Sequence, residues 1–194
     1  MTQLNLGEYL TTLNTICQNI VIRDQNSATV SLDIAGLQVR DMMLQVLNAD
    51  QKLLLVGNGG SAAIINHLEN DFIKAVGGKA LSFTSLSLFS ALSNDIGYEQ
   101  TYPFQVARWA ESGDLMVAIS SSGRSKNIIE SVKIAQTHRC QVVTLSGFGE
   151  NNPLARLGDL NFYVKSMSYG YVELAHQCLT HYFTDSVLAY QNKI

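Results

Sequence analysis

The sequence predicts an α/β fold: a parallel central sheet covered by helices on both faces, with two helices ahead of it. Three observations lead there. After Asp50, short apolar runs alternate with longer amphipathic stretches, which is βαβ order. Each run is apolar on consecutive residues rather than on alternate ones, as befits strands buried on both faces. Two of the runs end in glycine- or serine-rich turns that lead directly into helices, the arrangement that builds ligand sites at the carboxyl ends of parallel strands.

The elements follow in order. From Tyr9 to Ile20 the apolar residues Tyr9, Leu13, Ile16 and Ile20, with Leu10 and Cys17 beside them, recur at helical spacing and make one stripe. A second helix is expected over Leu32–Leu47. Two helices standing before the first strand have little sheet of their own to cover, and a neighbouring subunit is one candidate for the surface they face. Strands are expected at Leu53–Val56, Ala80–Phe83, Leu115–Ile119, Val142–Leu145 and Asn161–Val164, and a last helix from about Val172 to Tyr190. Residues 1–50 are thus read as helices serving oligomerisation, and 51–194 as one structural unit.

Composition bounds the function. The 194 residues are 46% hydrophobic and 15% charged with two prolines, which describes a single ordered domain able to enclose its own core. A formal charge of -3 without any basic run argues against binding nucleic acid, because phosphate-backbone affinity needs clustered Lys and Arg. One phosphate on a small molecule remains possible, since backbone N–H groups and hydroxyls can hold it. Cys17, Cys140 and Cys178 are scattered, without a Cys-x-x-Cys pair, and read as small hydrophobes rather than a disulfide framework or thiolate metal site. Met1–Glu8 carries neither a basic nor an apolar run, and no apolar span of about 18 residues occurs. The expectation is a cytoplasmic enzyme with no membrane partner.

Two loops carry the phosphate expectation. Leu53–Val56 runs into Gly57-Asn58-Gly59-Gly60-Ser61 before a helix, where unpaired N–H groups face an anion and glycine permits its close approach. No Gly-Lys-Ser/Thr follows, so this is not a Walker loop. Leu115–Ile119 runs into Ser120-Ser121-Ser122-Gly123-Arg124-Ser125 before a helix over Asn127–Thr137. Its four hydroxyls can donate to phosphate oxygens, and the dipole of the following helix favours negative charge.

A third constellation concerns protons and metals. His67 and Asp71, at i and i+4, project from one helix face and could share a metal ion, a proton or only a local hydrogen bond. In the last helix, Glu173 and His181 lie about 80° apart around the axis and could both be offered on one side. His176 faces elsewhere and reads as a core or supporting histidine.

In the order Gly57-Asn58-Gly59-Gly60-Ser61, Asn94-Asp95-x-Gly97-Tyr98, Gly113-Asp114 and Ile119-Ser120-x-Ser122-Gly123-x-Ser125, the chain resembles the SIS family of sugar isomerases and sugar-isomerase-like binding domains, from about Val46 to Leu188. The resemblance implies a SIS-type three-layer sandwich, a homotetramer with active sites near subunit contacts, and a sugar phosphate bound by Asn58, Gly59, Gly60, Ser61, Asn94, Asp95, Ser120, Ser121, Ser122 and Ser125. It implies a ketose–aldose isomerase of sedoheptulose 7-phosphate, with Asp71 and His181 catalytic and zinc held by His67, Asp71, Glu173 and His181. Three positions depart from the family's pattern: Asp71 stands for Glu, Glu173 for Gln, and Lys74 near the usual Arg. Two alternatives stay open: a non-catalytic phosphosugar-binding regulator, and an isomerase of another sugar phosphate.

Overall fold

The structure, a computed structural model, describes residues 4–192. Helix α1 (Leu6–Gln18) opens on Asn5, whose Oδ1 accepts from the amides of Gly7 and Glu8. A short hairpin follows, β1 (Val21–Asp24) and β2 (Thr29–Val30), and then α2 (Leu32–Asn48), capped by Ser31. The chain continues through β3 (Lys52–Gly57), α3 (Gly60–Asp71), β4 (Lys79–Leu81), α4 (Leu86–Asp95), α5 (Thr101–Trp109), β5 (Leu115–Ser120), α6 (Lys126–Thr137), β6 (Gln141–Ser146), β7 (Leu160–Tyr163) and α7 (Tyr169–Gln191). One seven-stranded sheet results, in the order β2-β1-β7-β6-β5-β3-β4.

All five expected strands are present, and β3 to β7 pair in parallel as their continuous apolar runs predict. Successive residues of each strand feed opposite cores. Leu53, Leu55, Val117 and Leu145 face α2, α3 and α7, whereas Leu54, Val56, Met116 and Val142 face α5 and α6. That is a three-layer sandwich.

The sheet is nonetheless mixed, which corrects the expectation of two helices before the first strand. Strand β1 pairs antiparallel with β7, from Val21 opposite Tyr163 to Asp24 opposite Leu160, and β2 extends it by two residues. Helix α1 stops at Gln18, so Ile20 belongs to the link and is buried beneath the hairpin rather than on a helical stripe. The turn is made by Asp24, whose Oδ1 accepts from the amides of Asn26 and Ala28, with Ser27 at φ 65°. Helix α1 buries no side chain completely and leans on α7, where Tyr9 stacks on Tyr171 at 4.4 Å.

Helix α7 crosses one face of the sheet and buries Val172, Ala175, Leu179, Phe183 and Val187. Among these apolar residues lies His176, fully buried, its Nε2–H donating to the Ser146 carbonyl at 3.2 Å and its Nδ1 without a partner. Burial pushes this imidazole down to about 4, and the bond to Ser146 offsets it only in part. The unfolded chain, with its histidine near 6.5, therefore binds more protons than the folded one between those two values. Stability is full above about pH 6.5 and is lost as pH falls toward 4, by roughly 3 kcal/mol from this group. Denaturant titrations at pH 7 and pH 4.5 should show a smaller acid loss for His176→Gln than for the wild type. Equal losses would contradict this account.

Candidate functional site

Both expected loops reach the carboxyl edge of the sheet, because β3 and β5 are neighbours in register, Gly57 beside Ile119. They line one cavity of about 220 Å³, with Asn58, Gly59, Gly60 and Ser61 on one side and Ser120, Ser121, Ser122 and Ser125 on the other. Tyr169 and Glu173, from the first turns of α7, complete the wall. Three helix N-termini thus converge. Asn5 and Ser31 cap α1 and α2 with their side chains, but α3, α6 and α7 carry no N-cap side-chain bond; although Ala62 N and Ile128 N bond within their own turns, the amides of Gly60, Ser61, Lys126 and Asn127 are left to meet an anion.

The glycines here answer to specific contacts. Gly59 adopts φ 54° and ψ −122°, a conformation that favours glycine, and with Gly60 and Ser61 it lines the cavity. A side chain at Gly60 would strike the Glu173 carboxylate. Gly123, at φ 61°, lies against the buried Asn152, so any Cβ there would collide with it. Asn152 donates to Ser146 Oγ, Gly147 O and Gly149 O and accepts from Ala155 N, and it backs the serine loop from below. Within the loop, Ser120 Oγ donates to Ser125 Oγ at 3.2 Å and the Arg124 amide donates to Ser122 Oγ at 3.3 Å.

A second group of side chains stands further along α3 and α7. His67 Nε2 lies 3.4 Å and His181 Nδ1 3.5 Å from Asp71 Oδ2, and the two imidazole rings meet edge to face at 4.8 Å. One ligand atom from each of the three residues falls within 4.8 Å of the others. Two imidazole nitrogens, on side chains about half exposed, and one carboxylate oxygen, on a side chain 23% exposed, are a donor set that suits zinc with a position left for substrate. Asp71 sits where α3 widens into a π-helical turn, Phe72–Val76, and Glu69 anchors this end by accepting from Ser82 N and Oγ at 2.9 and 2.6 Å.

Glu173 stands apart from this cluster, in the cavity wall beside Gly60. Asn94 and Asp95 do not line the cavity either. They are exposed at the end of α4, bonded to each other at 2.9 Å, and their segment reaches the glycine loop through Tyr98, whose hydroxyl donates to Asn58 Oδ1 at 2.8 Å. Lys74 is exposed in the π-helical turn.

Tyr169, Asn127, Asn152 and Tyr102 were given no role by sequence reasoning. Tyr169 falls before the expected start of the last helix, and the buried asparagines carry no motif of their own. The Tyr102 hydroxyl, which donates to Gly57 O at 2.5 Å and is pushed up to about 12 chiefly by burial, lies on a helix no strand pattern points to.

Comparison with known proteins agrees with this geometry. A family model for the SIS domain matches residues 18–147. The phosphoheptose isomerase of Campylobacter concisus is 32% identical over 184 residues, covering 90% of this chain and 96% of the relative. That of Coxiella burnetii (strain Dugway 5J108-111) is 31% identical over 159 residues, covering 78% and 80%. The solved structure of phosphoheptose isomerase from Neisseria gonorrhoeae aligns with a TM-score of 0.79 at 28% identity, over 94% of this chain and 97% of that one.

The serine loop's dependence on Gly123 is testable. Gly123→Ala should destabilise the fold by on the order of 2 kcal/mol in denaturant titration, and should weaken phosphate binding measured by calorimetry. A variant as stable as the wild type and binding equally would show that the contact with Asn152 does not constrain the loop.

Proposed function

Because this chain belongs to the SIS-domain family and, within it, to the phosphoheptose isomerases, we propose that it converts sedoheptulose 7-phosphate to D-glycero-D-manno-heptose 7-phosphate, a step of heptose biosynthesis for surface glycans. The observation that carries the reading is the separation of two chemistries along two parallel helices. The cavity of hydroxyls and N–H groups lies where α3 and α7 begin, and the His67, Asp71 and His181 cluster lies about 10–16 Å further along α3 and about 12 Å beyond Glu173 along α7. A ketose held by a terminal phosphate in the cavity would present its C1 and C2 several bonds away, toward that cluster.

Phosphate binding in this reading supplies position rather than reactivity. The first-turn amides of α3, α6 and α7, with Ser61, Ser120, Ser122 and Ser125, hold the phosphate. Asp71 removes a proton from C1, giving a cis-enediol, and returns it to C2, while His181 moves a proton between the two oxygens. His67, Asp71 and His181 would hold a zinc ion, which when bound polarises the substrate carbonyl. Glu173 places a carboxylate, where the family has an amide, in the cavity wall beside Gly60. The reading carries with it a cytoplasmic enzyme; among the described residues no helix is long and apolar enough to cross a membrane.

A homotetramer belongs to the same proposal. Leu6 and Leu10 on α1, Ile34 and Leu37 on α2, and Tyr182 and Tyr190 on α7 are large apolar side chains left exposed in the single chain. Light scattering at micromolar concentration should give four times the 21.3 kDa chain mass. A monomer would leave these faces unexplained.

The activity is tested by incubating the purified protein with sedoheptulose 7-phosphate, with and without zinc, and following the aldose by NMR. The product should appear, and Asp71→Asn should cut turnover by about 100-fold or more while phosphosugar affinity stays near that of the wild type. Bound zinc must be measured beside the rate, because the same substitution removes a ligand. A folded, fully active Asp71→Asn protein would remove this mechanism, and a wild type inactive on all sugar phosphates would favour a binding role.

A further inference from the structure

Asn127, in the first turn of α6, is 2% exposed and does not line the cavity. Its amide meets that of Asn58 head to tail: Asn58 Nδ2 donates to Asn127 Oδ1 at 2.9 Å, and Asn127 Nδ2 donates to Asn58 Oδ1 at 3.0 Å. The same Asn58 oxygen accepts the Tyr98 hydroxyl, and Asn127 Nδ2 also reaches Thr101 Oγ1 at 3.5 Å. Four elements therefore meet at one pair of amides: the glycine loop, the helix after the serine loop, the turn at Tyr98, and the start of α5.

We propose that Asn127 is a positioning residue that locks the glycine loop to the serine loop through Asn58, so that both face a single phosphate. The proposal rests on the phosphosugar reading and adds to it a residue that touches no substrate. Its physical basis lies in Gly59. A glycine at φ 54° and ψ −122° can adopt many other conformations, so its own backbone does little to fix the direction of the amides that follow. The restraint comes from its neighbour Asn58, whose side chain is held by two donors and one acceptor. Asn127 supplies one of those donors and the acceptor, and Tyr98 supplies the other donor. Tyr98 also makes this pair the one side-chain hydrogen bond, among the described residues, between the Asn94–Tyr98 segment and the glycine loop.

The test measures inorganic phosphate and sedoheptulose 7-phosphate binding by calorimetry, beside melting temperature and steady-state rates, for the wild type, Asn127→Leu, Asn127→Asp and Tyr98→Phe. Asn127→Leu should raise both dissociation constants and KM by about tenfold or more, with kcat changed by no more than about threefold, because the His67, Asp71 and His181 cluster is untouched. Asn127→Asp, the same shape with an acceptor where a donor is needed, should behave alike and guards against a leucine variant that fails to fold. Tyr98→Phe should cost about threefold, since Asn127 still donates to the Asn58 oxygen. Folded Asn127 variants that bind phosphate within about twofold of the wild type, even with a lowered melting temperature, would overturn the positioning role alone. A wild type that binds neither ligand would overturn the phosphosugar reading and the proposal with it.

Discussion

Helix α7 can lie as close as it does to three other elements because each offers a glycine where they cross. A side chain at Gly36 of α2 would strike Tyr182, one at Gly60 of α3 would strike Glu173, and one at Gly147 after β6 would strike Val172. The apolar face of α7, with Val172, Ala175, Leu179, Phe183 and Val187 buried, fixes its rotation, each of the larger side chains being worth roughly 1.5–3 kcal/mol of burial. The glycines leave room for its side chains where the elements cross. Both the cavity wall and the placement of His181 beside Asp71 depend on that approach, so core packing and site geometry are one constraint.

The cavity has no Lys or Arg in its lining, and it contains a carboxylate. An anion held there would be met by aligned N–H groups and hydroxyls, whose orientation the fold sets in advance. This is consistent with a chain that carries a formal charge of -3 and no basic run. The loops must then be held rigidly, because a dipole contributes only when it points the right way. Two buried asparagines do that from opposite sides, Asn152 beneath Gly123 and Asn127 against Asn58.

Much of this was legible in the sequence because buried parallel strands write themselves as continuous apolar runs. The hairpin was not. Its strands are four and two residues long, Arg23 and Asp24 interrupt the apolar pattern, and Ile20 stood at a spacing that also continues the stripe of the preceding helix. The two loops were legible from composition, since clustered glycines and serines after a strand have few other uses. The asparagines that hold them were not: Asn127 has its partners Asn58 and Thr101 far away in sequence, and Asn152, whose hydrogen bonds are local, reaches the serine loop only by packing against the distant Gly123.

The placement of Glu173 shows what periodicity can and cannot decide. At 100° per residue Glu173 and His181 come within about 80° of each other around the axis, so the sequence puts both on one side of α7. Eight residues also rise about 12 Å, and the Glu173 carboxylate here lies in the cavity wall beside Gly60 rather than in the His67, Asp71 and His181 cluster. Angle gives the face and rise gives the height. Helices α3 and α7 run the same way, with Gly60 beside Glu173 at the start, His67 and Asp71 beside His181 further on, and Val76 O accepting from Gln191 Nε2 at the end. The same rise that parts Glu173 from the imidazoles therefore parts the loop cavity from the His67, Asp71 and His181 cluster, and two packed helices hold that distance fixed. On the proposed function, a sugar phosphate too short to span it could occupy the cavity or reach Asp71, but not both at once, so the helical rise would set a lower limit on chain length.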